Sequence, residues 1–124
     1  MLTVTKRFQF EAAHFLPGYV GACKDLHGHS YKLEVTVYRT DVENTDMVID
    51  FKHLSTVVKE NIIKAWDHKN LNELEMFKED RPTAENMVTA IVSILNEELD
   101  DNISIARIRL WETEDSYAEY THES

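Results

Sequence analysis

The sequence is poor in cysteine, proline and glycine. Its 124 residues include one cysteine, two prolines and three glycines. A single cysteine excludes an intrachain disulfide framework and is typical of a reducing compartment. The scarcity of glycine and proline excludes low-complexity linkers. The length predicts a single domain, which we assign to residues 1–124.

Long apolar runs are missing as well. No apolar run approaches the ~20 residues that a membrane-spanning helix needs. The N-terminal segment alternates like a strand and lacks the apolar stretch of a signal peptide. We therefore expect a cytoplasmic protein without a membrane partner.

Basic residues are in deficit. Thirteen Lys and Arg stand against 23 Asp and Glu, for a net charge of −10. This balance argues against a nucleic-acid partner and, taken alone, against an anionic ligand. The deficit is uneven, because residues 1–40 carry five basic and three acidic side chains whereas residues 41–124 carry eight and 20. A site in the first third would lie in the least acidic part of the chain.

Hydrophobic periodicity predicts four strands and two helices. The strands are expected at 2–10, 29–39, 103–112 and 117–121, and the helices at 51–65 and 84–98. Asp50 and Thr83 precede the two helices and are expected as their N-caps. The order β-β-α-α-β-β indicates an α+β fold, an antiparallel sheet with helices on one face.

Three of the six histidines lie close in sequence. His27 and His29 form an H-x-H unit whose side chains point the same way if it begins a strand. His14 shares the apolar parity of the first strand, so a hairpin would bring the three imidazoles together. Three neutral imidazoles with an open fourth position are typical of catalytic Zn²⁺. The alternative is one core histidine and two at the surface.

The single cysteine, Cys23, lies in a predicted loop beside Lys24. A nearby cation or metal lowers a thiol pKa and raises the reactive thiolate fraction. Cys23 is therefore a candidate nucleophile, general base or fourth metal ligand. The alternative is a small buried apolar residue.

Two acidic positions are further candidates. Asp67 precedes His68, and a carboxylate beside an imidazole can orient it and raise its basicity. The alternative is a polar pair at a helix end. Glu112 has the apolar parity of its strand, and if buried it needs donors such as the guanidine-like edge of a pterin or guanine. The alternative is a strand-end carboxylate that reaches water.

Six motifs are spread along the chain from residue 10 to residue 120. They are FEAAH (10–14), CKDLHGHSY (23–31), VIDF (48–51), DHKNLNE (67–73), PTAEN (82–86) and WETEDSYAEY (111–120). In this order they resemble the 6-pyruvoyltetrahydropterin synthase superfamily. The short Cys-x-x-x-His-Gly-His spacing resembles most closely its 6-carboxytetrahydropterin synthase branch, the enzymes of 7-deazaguanine (queuosine) biosynthesis.

The resemblance implies the tunnelling fold, or T-fold, with a four-stranded antiparallel sheet and two helices on one face. It implies homo-oligomers, usually a hexamer built as a dimer of trimers, with active sites between subunits. It also implies a role for each candidate residue. The Zn²⁺ ligands would be His14, His27 and His29, the catalytic thiol Cys23, the proton-shuttling pair Asp67 and His68, and the pterin contacts Glu112, Thr83 and Glu85.

The implied reaction converts 7,8-dihydroneopterin triphosphate to 6-carboxy-5,6,7,8-tetrahydropterin, acetaldehyde and triphosphate. A triphosphate substrate fits the weakly basic first third of the chain, to which bound Zn²⁺ adds positive charge. Two alternatives stay open: pyruvoyltetrahydropterin synthase activity on the same substrate, and a non-catalytic, zinc-stabilised binding module.

Overall fold

The computed structural model describes residues 1–18, 21, 24–41 and 46–122. Four long strands and two helical segments follow one another in the predicted order. The strands are β1 (Val4–His14), β2 (His27–Arg39), β4 (Ile103–Thr113) and β5 (Ser116–Thr121). They form an antiparallel sheet in which β1 pairs with β2, β2 with β4, and β4 with β5. The predicted α+β class is confirmed.

A fifth strand was not expected from the sequence. Strand β3 (Lys69–Asn70) has only two residues and pairs in parallel with Ala12 and Ala13 of β1. The sheet order is therefore β3-β1-β2-β4-β5. Two residues are too few to give a periodic signal, so this strand depends on contacts that the sequence pattern does not display.

The first helical segment begins at Phe51, one residue after its cap. The Asp50 carboxylate accepts a hydrogen bond from the Lys52 amide at 2.8 Å, as an N-cap does. The helix α1 (Phe51–Val58) continues through a π-helical turn (Lys59–Ile63) into the short α2 (Lys64–Trp66). Its fully buried side chains recur every four residues and pack toward the sheet; they are Leu54, Val58, Ile62 and Trp66.

The second helix, α3 (Ala84–Glu98), begins as predicted after Thr83. The Thr83 hydroxyl accepts a hydrogen bond from the Asn86 amide at 3.1 Å. Met87, Ile91 and Leu95 form its buried stripe. Within the described part of the chain, none of the helices has the length and apolar character required to cross a membrane.

The core lies between the helices and one face of the sheet. Alternate residues of β1 and β2 point inward, and the Phe10 and Tyr31 rings stack at 5.0 Å between centroids. Trp66 meets Phe10 edge-on at 6.0 Å. The same alternation continues to the end of both strands, where the inward positions are histidines instead of apolar residues.

Candidate metal centre and adjoining cavity

Three imidazoles converge where β1 and β2 meet. His14 lies directly opposite His27 in the antiparallel register, and His29 lies opposite Ala12. Side chains at these positions share the inward face. The ring centroids are 4.6 Å apart for His14 and His27, 5.1 Å for His14 and His29, and 4.8 Å for His27 and His29.

Backbone carbonyls fix which nitrogen of two rings is protonated. The Nδ1 atom of His14 lies 2.7 Å from the Pro82 carbonyl oxygen, and that of His27 lies 2.8 Å from the Asp25 carbonyl oxygen. A carbonyl only accepts, so each Nδ1 carries the proton and each neutral ring keeps a lone pair on Nε2. Yet the two Nε2 atoms are 3.0 Å apart. Two lone pairs that face each other at this distance repel, whereas a positive ion between them would be bound by both. Metal-bound histidines are held in this way, with the second ring nitrogen donating to a fixed acceptor.

The third ring, that of His29, also has an Nε2 atom without a hydrogen-bond partner among the described residues. That atom is buried, and Glu112 Oε1 lies 2.9 Å away. The same carboxylate oxygen is 3.8 Å from His14 Nε2. One donor atom from each of His14, His27, His29 and Glu112 falls within 4.8 Å of the others. Three imidazoles suit a zinc ion with an open fourth position, and the Glu112 carboxylate lies beside them.

Burial favours the neutral form of two of the imidazoles, those of His14 and His29. It lowers the pKa of His14, against the smaller opposing effects of the Pro82 hydrogen bond and then the Glu112 carboxylate. It also lowers the pKa of His29, against the Glu112 carboxylate. A lower pKa favours the neutral ring, which is the form that binds metal. Burial also raises the pKa of Tyr31, whose hydroxyl lies 3.4 Å from His14 Nδ1.

The Asp67 and His68 side chains contact each other at the edge of the sheet. Asp67 Oδ1 is 3.0 Å from His68 Nδ1 and accepts a hydrogen bond from the Glu11 amide at 2.9 Å. That amide, together with His68, lowers the pKa of the Asp67 carboxyl. His68 has a left-handed backbone, with φ of 61°, and its side chain is 76% exposed. A shallow cavity in the same region is lined by both His68 and His29.

A larger cavity adjoins the histidine cluster through Glu112. It has a volume of about 700 Å³ and lies between α3 and β5, with Glu85 and Glu112 among its lining residues. Val88, Val92 and Ala118 supply an apolar wall. The hydroxyl of Thr83 caps α3, and this residue is not among those that line the cavity. Cys23 lies outside the described residues.

Sequence reasoning named the three histidines that the structure brings together, but neither the place of Glu112 beside them nor the groups that hold them. The Pro82 and Asp25 carbonyls leave no signal, because every residue has a carbonyl. Asn72 was also missed. Its side-chain oxygen accepts from the Phe15 amide and its nitrogen donates to the Phe15 carbonyl, both at 2.9 Å. The polar run DHKNLNE, in which Asn72 lies, is the sequence signal that points to it.

Fold and donor set together define an α+β protein with a cavity beside a histidine and carboxylate cluster that could hold a metal ion. Residues 3–123 match the family described as 6-pyruvoyl tetrahydropterin synthase, and the chain belongs to that family. The structure of 6-pyruvoyl tetrahydropterin synthase from Caenorhabditis elegans superimposes with a TM-score of 0.85 at 25% identity, over 98% of this chain and 96% of that one. The expected T-fold is thereby confirmed.

Curated relatives carry more specific names. A 6-carboxy-5,6,7,8-tetrahydropterin synthase from Haemophilus influenzae is 35% identical over 97% of this chain and 99% of its own length. A protein from Archaeoglobus fulgidus, named as a putative 6-carboxy-5,6,7,8-tetrahydropterin synthase, is 40% identical over 89% and 87%. A dihydroneopterin monophosphate aldolase from Pyrococcus furiosus is 34% identical over 86% and 85%.

Proposed function

We propose that this chain is a zinc-dependent lyase. It converts 7,8-dihydroneopterin triphosphate and one water molecule to 6-carboxy-5,6,7,8-tetrahydropterin, acetaldehyde and triphosphate, as a cytoplasmic step of queuosine biosynthesis. Several relatives similar along nearly their whole length are named for the 6-carboxy product. The structural observation that carries the proposal is Glu112, which touches the histidine cluster and also lines the adjoining cavity.

That dual position suits a substrate with a flat ring and a hydroxylated side chain. The ring would occupy the cavity, and the hydroxyls would reach the histidine cluster. Pterins present an amino group and ring nitrogens in a guanidine-like edge, which a carboxylate recognises with paired hydrogen bonds. Glu112 is one such anchor, and Glu85, in the first turn of α3, is a second on the wall of the same cavity. Thr83 lies next to this wall as the cap of the helix.

His14, His27 and His29 would hold the zinc ion. When bound, the ion supplies Lewis-acid polarisation of the substrate's hydroxyl oxygens. The reaction also needs protons removed from side-chain carbons and returned elsewhere. We assign the removal to the Cys23 thiolate and the second transfer to His68, oriented by Asp67 at 3.0 Å. A positioned acid or base of this kind contributes typically ~10²–10⁴ in rate.

A homo-oligomer is part of the proposal. Strand β5 is the last strand on one side of the sheet, and on the other side β3 covers only Ala12 and Ala13 of β1. Edge strands with free backbone groups pair readily with another chain. We infer that copies join at these edges, as a trimer that pairs into a hexamer, with active sites between subunits.

Two other activities have specific support. The family name favours release of triphosphate to give the pyruvoyl product, and the Pyrococcus furiosus relative favours an aldolase acting on dihydroneopterin monophosphate. One experiment separates the three. Purified, zinc-loaded protein is incubated with dihydroneopterin triphosphate and, separately, with the monophosphate, and pterin products are measured by mass together with acetaldehyde.

If the incubation with the triphosphate gives a product with the mass of the carboxypterin and an equal amount of acetaldehyde, the proposal is supported. A pyruvoyl product without acetaldehyde assigns the synthase activity. Cleavage of the monophosphate in preference to the triphosphate assigns the aldolase. Tight pterin binding without any product would leave a zinc-stabilised binding module.

A further inference from the structure

The segment that carries Asp67 and His68 runs alongside the end of β1, where His14 lies. Hydrogen bonds hold this segment to β1 along its length. The Asp67 carboxylate accepts from the Glu11 amide, and the His68 amide donates to the Glu11 carbonyl. Strand β3 then pairs with Ala12 and Ala13.

Beyond β3 the backbone leaves the sheet in a 3₁₀ turn (Leu71–Glu73), yet the pairing goes one residue further. Here the side-chain amide of Asn72 replaces a peptide group. Its Oδ1 accepts from Phe15 N and its Nδ2 donates to Phe15 O, each at 2.9 Å. The backbone N–H of Asn72 donates to Asn70 Oδ1 at 3.2 Å, and this hydrogen bond fixes the turn from which the Asn72 side chain extends.

We infer that Asn72 is a positioning residue for the metal centre. His14, which is 1% exposed, lies between Ala13, paired with β3, and Phe15, held by Asn72. Its ring is held separately by the Pro82 carbonyl at 2.7 Å. With the backbone fixed on both sides and Nδ1 fixed by a carbonyl, the lone pair of Nε2 has one direction left. Outer groups that orient metal ligands are typically worth ~10–100-fold in metal affinity.

This inference rests on the proposed metal function, and the chain offers a matched control. Asn61 is also half-buried, and its side chain donates to a backbone carbonyl, that of Val57 in α1, at 2.8 Å. Replacing Asn61 by alanine removes one side-chain to backbone hydrogen bond and replacing Asn72 removes two, with a typical stability cost of the same order for each bond. Of the two, only the loss at Asn72 would loosen the backbone next to a proposed ligand, at Phe15 beside His14.

The test measures Co²⁺ binding to the metal-stripped full-length protein, by competition with a chromophoric chelator and by the visible absorption of the bound ion. We expect Asn72→Ala to weaken Co²⁺ affinity about tenfold and to alter the absorption bands. Asn61→Ala should leave both unchanged. Asn72→Asp, which keeps the acceptor for Phe15 N–H but loses the donor, serves if the alanine variant does not fold.

The outcomes separate this inference from the proposed function. Wild-type affinity and spectrum in the folded Asn72 variants would overturn the positioning role while the metal site stands. Equal losses in the Asn61 and Asn72 variants would overturn it too, because they would indicate a general loss of stability. Absence of Co²⁺ binding in the wild type would overturn both.

Discussion

The Nε2 atoms of His14 and His27 face each other at 3.0 Å, while the Nδ1 atom of each ring donates to a backbone carbonyl. Two lone pairs at this distance stabilise the fold only with a cation between them. We therefore expect zinc-loaded protein to hold about one metal ion per chain, and His27→Ala to lose it, as measured by elemental analysis after dialysis. His53→Ala is the control, since His53 lies on α1 with its side chain 49% exposed. Full metal content in His27→Ala would contradict the ligand assignment.

Cys23 is the proposed base. Cys23→Ala should retain zinc and bind pterin, because a base contributes to turnover and not to the ground-state complex. We expect turnover to fall by about 10²–10⁴, measured as acetaldehyde release, with pterin affinity followed by fluorescence. Near-normal turnover in a metal-replete sample would remove Cys23 from this role.

Glu85 and Glu112 should differ in what their loss affects. Both line the cavity, but only Glu112 touches an imidazole, at 2.9 Å from His29 Nε2. Glu85→Gln should raise KM for the pterin and leave metal content unchanged. Glu112→Gln should raise KM and also weaken metal binding, because it removes a negative charge beside the cluster. If the two variants behaved alike in metal affinity, the link between Glu112 and the metal centre would be wrong.

The left-handed backbone of His68 costs stability. A non-glycine residue in this region is disfavoured by about 1–2 kcal/mol, and glycine largely avoids that cost. His68→Gly should therefore raise the free energy of unfolding by about 1 kcal/mol while it lowers turnover, since the imidazole is lost. Lys69→Gly, one residue on in β3, should destabilise the fold. Urea unfolding checks both, and a His68→Gly variant less stable than wild type would show that the strain is not significant.

Asp67 should make stability depend on pH. Its carboxyl pKa is lowered in the folded state, first by the Glu11 amide and then by His68. Because the pKa is lowered on folding, the ionised carboxylate stabilises the fold at pH values above the ordinary pKa of an aspartate. This contribution to the free energy of unfolding disappears as the pH falls through the folded-state pKa. The stability difference between wild type and Asp67→Asn should be constant near neutral pH and shrink toward pH ~3. Asp80→Asn, at an exposed bend, is the control. A difference that grew on acidification would have the wrong sign.

Residue patterns predict the four long strands, the two main helices and the three histidines that converge. Alternation placed His14, His27 and His29 on the inward face of two strands, and capping chemistry set the starts of α1 and α3 at Asp50 and Thr83. These are local properties, so a local pattern reveals them. The contact between Asp67 and His68 was an open alternative, because adjacent side chains need not meet.

The groups that hold those residues come from the tertiary structure. Some of these groups lie far away in sequence, namely strand β3 and the Asn72 side chain that bonds to Phe15. Others are backbone carbonyls, those of Pro82 and Asp25, which every residue has. Their effect depends on register and distance, which a pattern of residue types does not contain. Residue types therefore specify which atoms can bind a metal, and the packing of β1 against residues 67–72 and 82 specifies where the His14 ring points.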